Sequence, residues 1–220
     1  MRTEFIPSTP THLTYRLYGS IPNLPLSQLH TKLKLRKAEL NKKFNRSTRA
    51  VNRGARVQHK ELLTETEREY YIAFDRLLDH PTKGPRYLAG NRAKRVIIDS
   101  WRFIAEQRNL TIYAISVMSN HVHVILKSDV RTARIPLSEV LRDHKKFTAT
   151  RLNRLHASPG RRVWAEKEYC RTVRHGKFER VFWYVLNNPV KAGLTDDAVN
   201  WYGNYWAPEL QRGFIDLRVA

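Results

Sequence analysis

Apolar and polar residues alternate in two rhythms along the chain. Leu13-Thr14-Tyr15-Arg16-Leu17-Tyr18 is rich in strand formers and stops at Gly19-Ser20, which predicts a first strand. Residues 20–27 contain Pro22 and Pro25 and predict a loop. Leu29, Leu33, Leu40 and Phe44 then recur at helical spacing. Glu65 to Leu78 predicts a helix with Tyr70, Tyr71, Phe74, Leu77 and Leu78 on one side, ended by His80-Pro81. After a turn at Gly84-Pro85-Arg86-Tyr87-Leu88, Asn91 opens a helix to about Arg108, with Val96, Ile97, Trp101 and Ile104 as its buried stripe. Thr111 to Val117 predicts a second strand. Ser119-Asn120 is a tight turn, and His121 to Leu126 returns antiparallel as an apolar, β-branched strand. A helix follows from Pro136 to Leu155, then a strand from Tyr169 to Arg174, then a helix from Gly176 to about Asn187, stopped by Pro189.

That order predicts an α+β fold: a ferredoxin-like or RRM-like antiparallel sheet with helices on one face and the 121–126 strand in its middle. The expected organisation is a single domain, 1–220, with a largely helical insertion at 28–80 and a C-terminal extension at 195–220.

Charge changes the picture next. The chain holds 40 Lys and Arg against 20 Asp and Glu, a net +20, so a polyanion is the expected partner and nucleic acid its commonest form. No apolar run approaches the ~18–20 residues that span a bilayer, so no membrane partner is expected. The charge is uneven. From Thr31 to Lys60 eleven residues are Lys or Arg and only Glu39 is acidic, 11 − 1 = +10. That stretch is either a clamp on a nucleic-acid backbone or a solvated insertion. The one cysteine, Cys170, excludes an internal disulfide and a cysteine-based zinc site, and reads as small apolar filling. Met1 to Phe5 carry no apolar leader, so a reducing, cytoplasmic compartment is expected.

The candidate chemistry starts with His121 and His123. On a strand their side chains share one face, with Cα atoms about 6–7 Å apart, so two imidazoles can grip one divalent ion; histidines also fill strands for other reasons. On the last helix Phe178, Val181, Phe182 and Val185 form the buried stripe, and Tyr184 and Asn188 lie four apart along its edge. Tyr184 there either packs in the core or keeps its hydroxyl in a cleft. Asn188 offers a carbonyl oxygen that a metal accepts as a third ligand. The helix from Pro136 carries Arg142, Lys145, Lys146 and Arg151, candidates for phosphate contacts. His144, beside Asp143 on that basic helix, reads as a surface residue.

Two strings carry a resemblance. Ser119-Asn120-His121-Val122-His123, together with Asn187-Asn188-Pro189-Val190-Lys191-Ala192-Gly193-Leu194, resembles the REP-associated tyrosine transposases. These are bacterial single-tyrosine enzymes of the HUH endonuclease fold, named for their His-hydrophobic-His motif and related to small insertion-sequence transposases. Tyr184 follows His123 by 184 − 123 = 61 residues, the family's interval. Gly84-Pro85-Arg86-Tyr87-Leu88, Phe147 to Asn153 and Trp201-Tyr202-Gly203-Asn204-Tyr205 extend the likeness to about residues 10–20 and 84–206, with 31–60 outside it. Ser119 stands where the family usually has proline, and Asn204 where it has serine.

The resemblance implies a transposase that cleaves and rejoins single-stranded DNA bearing palindromic hairpins. Tyr184 would form a covalent 5′-phosphotyrosine. His121, His123 and Asn188 would hold Mg²⁺ or Mn²⁺, although zinc also accepts imidazoles. Arg142, Lys145, Lys146, Arg151 and Lys191 would contact DNA. It further implies a monomer or homodimer, in the bacterial cytoplasm and at the nucleoid when bound to DNA. The rival reading is a non-catalytic RRM-like nucleic-acid-binding protein, a domesticated transposase in which the histidine pair is incidental. A His-x-His metallohydrolase barrel of about 250 residues is longer than this chain allows.

Overall fold

The computed structural model describes residues 6–46, 53–79, 84–129 and 135–210. Met1 to Phe5, residues 47–52 of the basic stretch, the His80-Pro81 stop and residues 211–220 of the C-terminal extension lie outside them. In chain order the elements are β1 (Thr11–Arg16), α1 (Asn23–Arg46), α2 (Arg53–Asp79), α3 (Asn91–Arg108), β2 (Leu110–Val117), β3 (His121–Ser128), α4 (Leu137–Leu155), β4 (Tyr169–Thr172), α5 (Phe178–Leu186), α6 (Asn188–Lys191) and β5 (Asn204–Trp206). They fall into two compact units, residues 1–20 with 85–220, and residues 21–84.

The first unit is built on one antiparallel sheet of order β4-β1-β3-β2-β5, so the histidine strand is central. Its two faces differ because side chains alternate along each strand. Val122, Val124 and Leu126 of β3 join Leu13 and Tyr15 of β1 in the larger core, under α3 and α4. α3 brings Ala93, Ile97, Trp101 and Ile104 to it at helical spacing, and α4 brings Leu137, Val140, Leu141 and Leu152. Ile125, on the other face of β3, meets Ala114 of β2 and Phe182, Val185 and Leu186 of α5. The helices therefore divide between the faces. α3 and α4 lie on one side, while α5 covers the side toward which His121 and His123 point.

His144 corrects a sequence expectation. It is fully buried on α4, one step along the stripe Leu137, Val140, Leu141, Thr148, Leu152, rather than at the surface. Its ring is held at both nitrogens. Trp101 Nε1 donates to the Tyr15 hydroxyl at 2.9 Å, and that hydroxyl donates to His144 Nε2 at 2.7 Å. His144 Nδ1 donates to Ser100 Oγ at 2.9 Å, and the imidazole stacks on Trp101 at 4.5 Å between centroids. Burial, reinforced by the Lys145 charge, pushes the His144 pKa down to about 3, and burial pushes the Tyr15 phenol up. Both groups are neutral links between sheet and helices.

β5 is joined to the sheet edge through Gly203. Val117 N donates to Gly203 O at 2.9 Å, and Trp201 Nε1 donates to Val117 O at 3.0 Å. A Cβ on Gly203 would lie 2.4 Å from Val117 O and 2.5 Å from Trp201 Nε1, which is why glycine stands there. Asn204, in place of the family's serine, donates through Nδ2 to Leu186 O and Ala198 O, both at 2.8 Å, tying β5 to the end of α5.

The second unit is a hairpin of two long helices, α1 and α2, in which Ile21, Phe74 and Leu78 form a buried cluster with Leu26, Leu29, Tyr70 and Leu77 packed on it. α1 begins within the segment expected to be a loop. Pro25 sits in its first turn, where the N–H that proline lacks has no helical partner in any case. Among the described residues no helix is long and apolar enough to cross a membrane.

Two outcomes test this architecture. Unfolded His144 binds a proton near pH 6.5 but the folded protein withholds it down to about 3, so stability is fully present above pH 6.5 and falls as pH drops through that window. In denaturant titrations from pH 6 to 4.5, wild type should lose about 1 kcal/mol per pH unit more than His144→Gln. Equal slopes would refute the buried neutral imidazole. Gly203→Ala should lower stability by about 1–3 kcal/mol through overpacking, read as a lower denaturant midpoint.

Candidate active site

β3 delivers both histidines to one pocket. His121 and His123 are fully buried, and their Nε2 atoms are 2.9 Å apart. Each ring is steered by a partner on its far nitrogen. His121 Nδ1 donates to the Asn120 carbonyl oxygen at 2.7 Å, which leaves Nε2 with its lone pair. His123 Nδ1 lies 3.0 Å from Thr14 Oγ1 and 3.2 Å from His12 Nε2, which hold its ring in place. Thr14 and His12 come from β1, where Thr14 pairs with His123 in the ladder. His12 stacks on His123 at 5.3 Å between centroids. Burial holds the His123 pKa well below its ordinary value, and the nearby His12 and Lys191 press it the same way. At neutral pH this imidazole is uncharged, the form in which it ligates a metal.

α5 supplies the phenol. Phe182, Val185 and Leu186 fix the helix against Ala114 and Ile125, and this sets Tyr184 at the side of the apolar stripe. The Tyr184 ring is 6.3 Å from His123 and 6.0 Å from His12, edge-on to both. The Lys191 ammonium lies 4.3 Å from the Tyr184 ring centroid. The chain bends at Asn187, and Asn188 opens α6 with Pro189 in its first turn. Asn188 is fully buried. Its Nδ2 donates to Tyr184 O at 2.9 Å, which anchors the side chain to the turn that carries the tyrosine. Its Oδ1 is buried without a hydrogen-bond partner among the described residues.

These donors fit a divalent cation. Two ligand atoms each about 2.1 Å from one ion at right angles lie about 3 Å apart, which the histidine pair matches at 2.9 Å. Burying an amide oxygen with no partner costs about 1–3 kcal/mol, and a cation is the kind of group that satisfies it.

The expected DNA contacts are dispersed. Lys191 stands beside the tyrosine, but Arg142, Lys146 and Arg151 lie exposed on α4, over the opposite face of the sheet. Lys146 and Arg151 line an open groove with Phe147 and Arg154. Lys145 turns away from solvent: its Nζ donates to Glu168 Oε2 at 3.0 Å and to the carbonyls of Ala165 and Glu166, both at 3.2 Å. His12, Thr14 and Asn120 were not singled out from the sequence. His12 and Thr14 do share a strand face by their spacing, yet only the pairing of β1 with β3 puts that face against His123.

The sequence model of the family described as "Transposase IS200 like" matches residues 83–188. No curated protein matches the chain. Among solved structures, a REP-associated tyrosine transposase bound to a REP hairpin shares the fold, with a TM-score of 0.54 at 14% identity over 97% of this chain and 86% of that one. A candidate transposase from Deinococcus radiodurans aligns with a TM-score of 0.40 at 14% identity, over 86% of this chain and 98% of that one. The matched segment runs from before α3 to Asn188 and holds the histidine strand and the tyrosine helix together, so this part of the chain is similar to the IS200-like transposases.

Proposed function

We propose that this protein is a single-strand DNA endonuclease and strand transferase acting on hairpin-bearing, REP-like DNA through a covalent bond to Tyr184. The observation that carries the proposal is the Tyr184 phenol edge-on to His123 and His12, with the buried Asn188 oxygen one turn further on. The family match and the net charge of +20 support DNA as the substrate. The hairpin bound by the solved relative of like fold supports a stem beside the cleaved strand.

His121, His123 and Asn188 would hold Mg²⁺ or Mn²⁺. Such an ion, when bound, polarises the scissile phosphate and offsets its negative charge. The chain's own groups do the rest. The Tyr184 hydroxyl gives up its proton and its oxygen attacks phosphorus. The bond to the 3′ oxygen breaks, that oxygen leaves as a 3′-hydroxyl after taking a proton, and the 5′-phosphate stays on Tyr184. A 3′-hydroxyl from another strand reverses the exchange, so joining needs no nucleotide cofactor. Asn120 holds the His121 ring, and Thr14 with His12 holds the His123 ring. Lys191 places a positive charge beside the phenol, favouring both the phenolate and the incoming phosphate. Arg142, Lys146 and Arg151 hold flanking DNA on the far side of the sheet, while Lys145 stays with Glu168.

Labelled hairpin oligonucleotides incubated with the protein and Mn²⁺ should give a slow protein–DNA band on a denaturing gel, lost in Tyr184→Phe and in His121→Ala. An adduct that survives Tyr184→Phe would sink the assignment, and tight binding without any adduct would favour the binding-module reading. In a separate calorimetric titration, Mn²⁺ should bind wild type and fail to bind His123→Ala. Asn120→Ala, which frees the His121 ring, should weaken binding about 10–100-fold. Unchanged affinity in His123→Ala would remove the metal from the scheme.

A further inference from the structure

The helical hairpin of the second unit segregates its charge. Its rungs fix an antiparallel register: His30 stacks on Tyr70 at 5.8 Å, Lys37 pairs with Glu67, and Phe44 stacks on His59 at 4.2 Å. His59 Nε2 also meets Asn41 Oδ1 at 3.0 Å. By that register Lys42 and Lys43 of α1 share one end of the hairpin with Arg53, Arg56 and Lys60 of α2. All of these side chains are exposed, and among the described residues no ion pair holds them. The acids of α2 begin at Glu61 and continue as Glu65, Glu67 and Glu69 toward the other end, where they take Lys37 and Arg68 as partners.

Arg53, Arg56 and Lys60 are spaced three and four apart, so they form one stripe on the helix face, about 10 Å long. A DNA duplex carries one charge per about 1.7 Å of axis, so such a stripe faces several phosphates at once. Among its described residues the hairpin exposes no Phe, Tyr or Trp ring to unpaired bases. Phe44, Tyr70, Tyr71 and Phe74 are turned into the hairpin or half-buried, and its exposed large apolar side chains are Leu24, Leu35, Val57, Leu62 and Ile72. Single-strand binding draws much of its energy from bases stacked on exposed aromatic rings. Charge without rings suits a backbone that presents phosphates in fixed rows.

We infer that the basic end of the hairpin, Lys42, Lys43, Arg53, Arg56 and Lys60, binds the phosphate backbone of double-stranded DNA without reading its bases. The inference rests on the DNA-processing function proposed above and assigns the duplex part of the substrate to this unit.

Binding is measured on the full chain in EDTA, so that no cleavage intervenes and a failure leaves the phosphotyrosine scheme standing. The probes are a blunt duplex and an unstructured single strand of equal length, titrated by fluorescence anisotropy between about 50 and 200 mM salt. K42Q/K43Q/R53Q/R56Q/K60Q should bind duplex at least about tenfold more weakly. Its slope of log affinity against log salt should be shallower by about 3–4, since each lost phosphate contact contributes about 0.9. Single-strand affinity should change less than about threefold. R53Q/R56Q should show part of the same change, and an unaltered circular-dichroism spectrum shows that the helices persist. R68Q/R76Q, at the acidic end, should change little. The inference is overturned by an unchanged duplex slope, by an equal loss on single strand, or by an equal loss per charge in R68Q/R76Q.

Discussion

The period of two along β3 is the constraint from which the candidate site follows. Val122, Val124 and Leu126 enter the core under α3 and α4, so His121 and His123 have only the opposite face to occupy. Each of those apolar side chains is worth about 1.5–3 kcal/mol when buried. Slipping the strand by one residue would take all of them out of the core and push two imidazoles into it. β1 and β2 hydrogen-bond to β3 along both edges, which removes the remaining freedom. A catalytic pair on a loop would need its own means of rigidity. On the central strand, the packing of the hydrophobic core aims it.

Polar cost is concentrated where the chemistry is proposed. His12, Thr14, His121 and His123 are all buried on one face of the sheet and linked ring to ring or ring to hydroxyl. Burial keeps His123 in this cluster neutral. The contrast with His144 is instructive. It too is buried and neutral, but Tyr15 and Ser100 satisfy both of its nitrogens, and Trp101 covers its ring. That network is closed and structural. At the other face the Nε2 atoms of His121 and His123 have each other, and the Asn188 oxygen has no partner among the described residues. That one buried amide oxygen beside the tyrosine turn still has an acceptor to offer a ligand, whereas the His144 network has nothing left to offer one.

Much of this was legible in the chain. The succession of elements through the tyrosine helix follows from local periodicity, because the apolar runs at 122–126 and 178–186 are strong and well punctuated, and the central place of the histidine strand follows from the fold that this succession predicts. His12 was not legible. Its partner in the pocket is 111 residues away, and strand neighbours at that separation depend on the whole topology. His144 was misread for a different reason. Asp143 beside it and the basic character of the helix suggest solvent, yet its spacing from Val140, Leu141 and Thr148 places it on the buried stripe. Periodicity outranks neighbouring charge on a helix, since adjacent residues face about 100° apart. The start of α1 is masked in the sequence by Pro22 and Pro25, which usually break helices, although a helix tolerates proline in its first turn.

Charge then links the site to its substrate. A chain of +20 repels a free divalent cation and attracts a phosphodiester, so the two do not bind independently. In the proposed reaction the phosphates of the DNA would lower the potential around the pocket, and a bound cation would in turn strengthen the hold on the phosphate. Linkage makes the two effects equal in size.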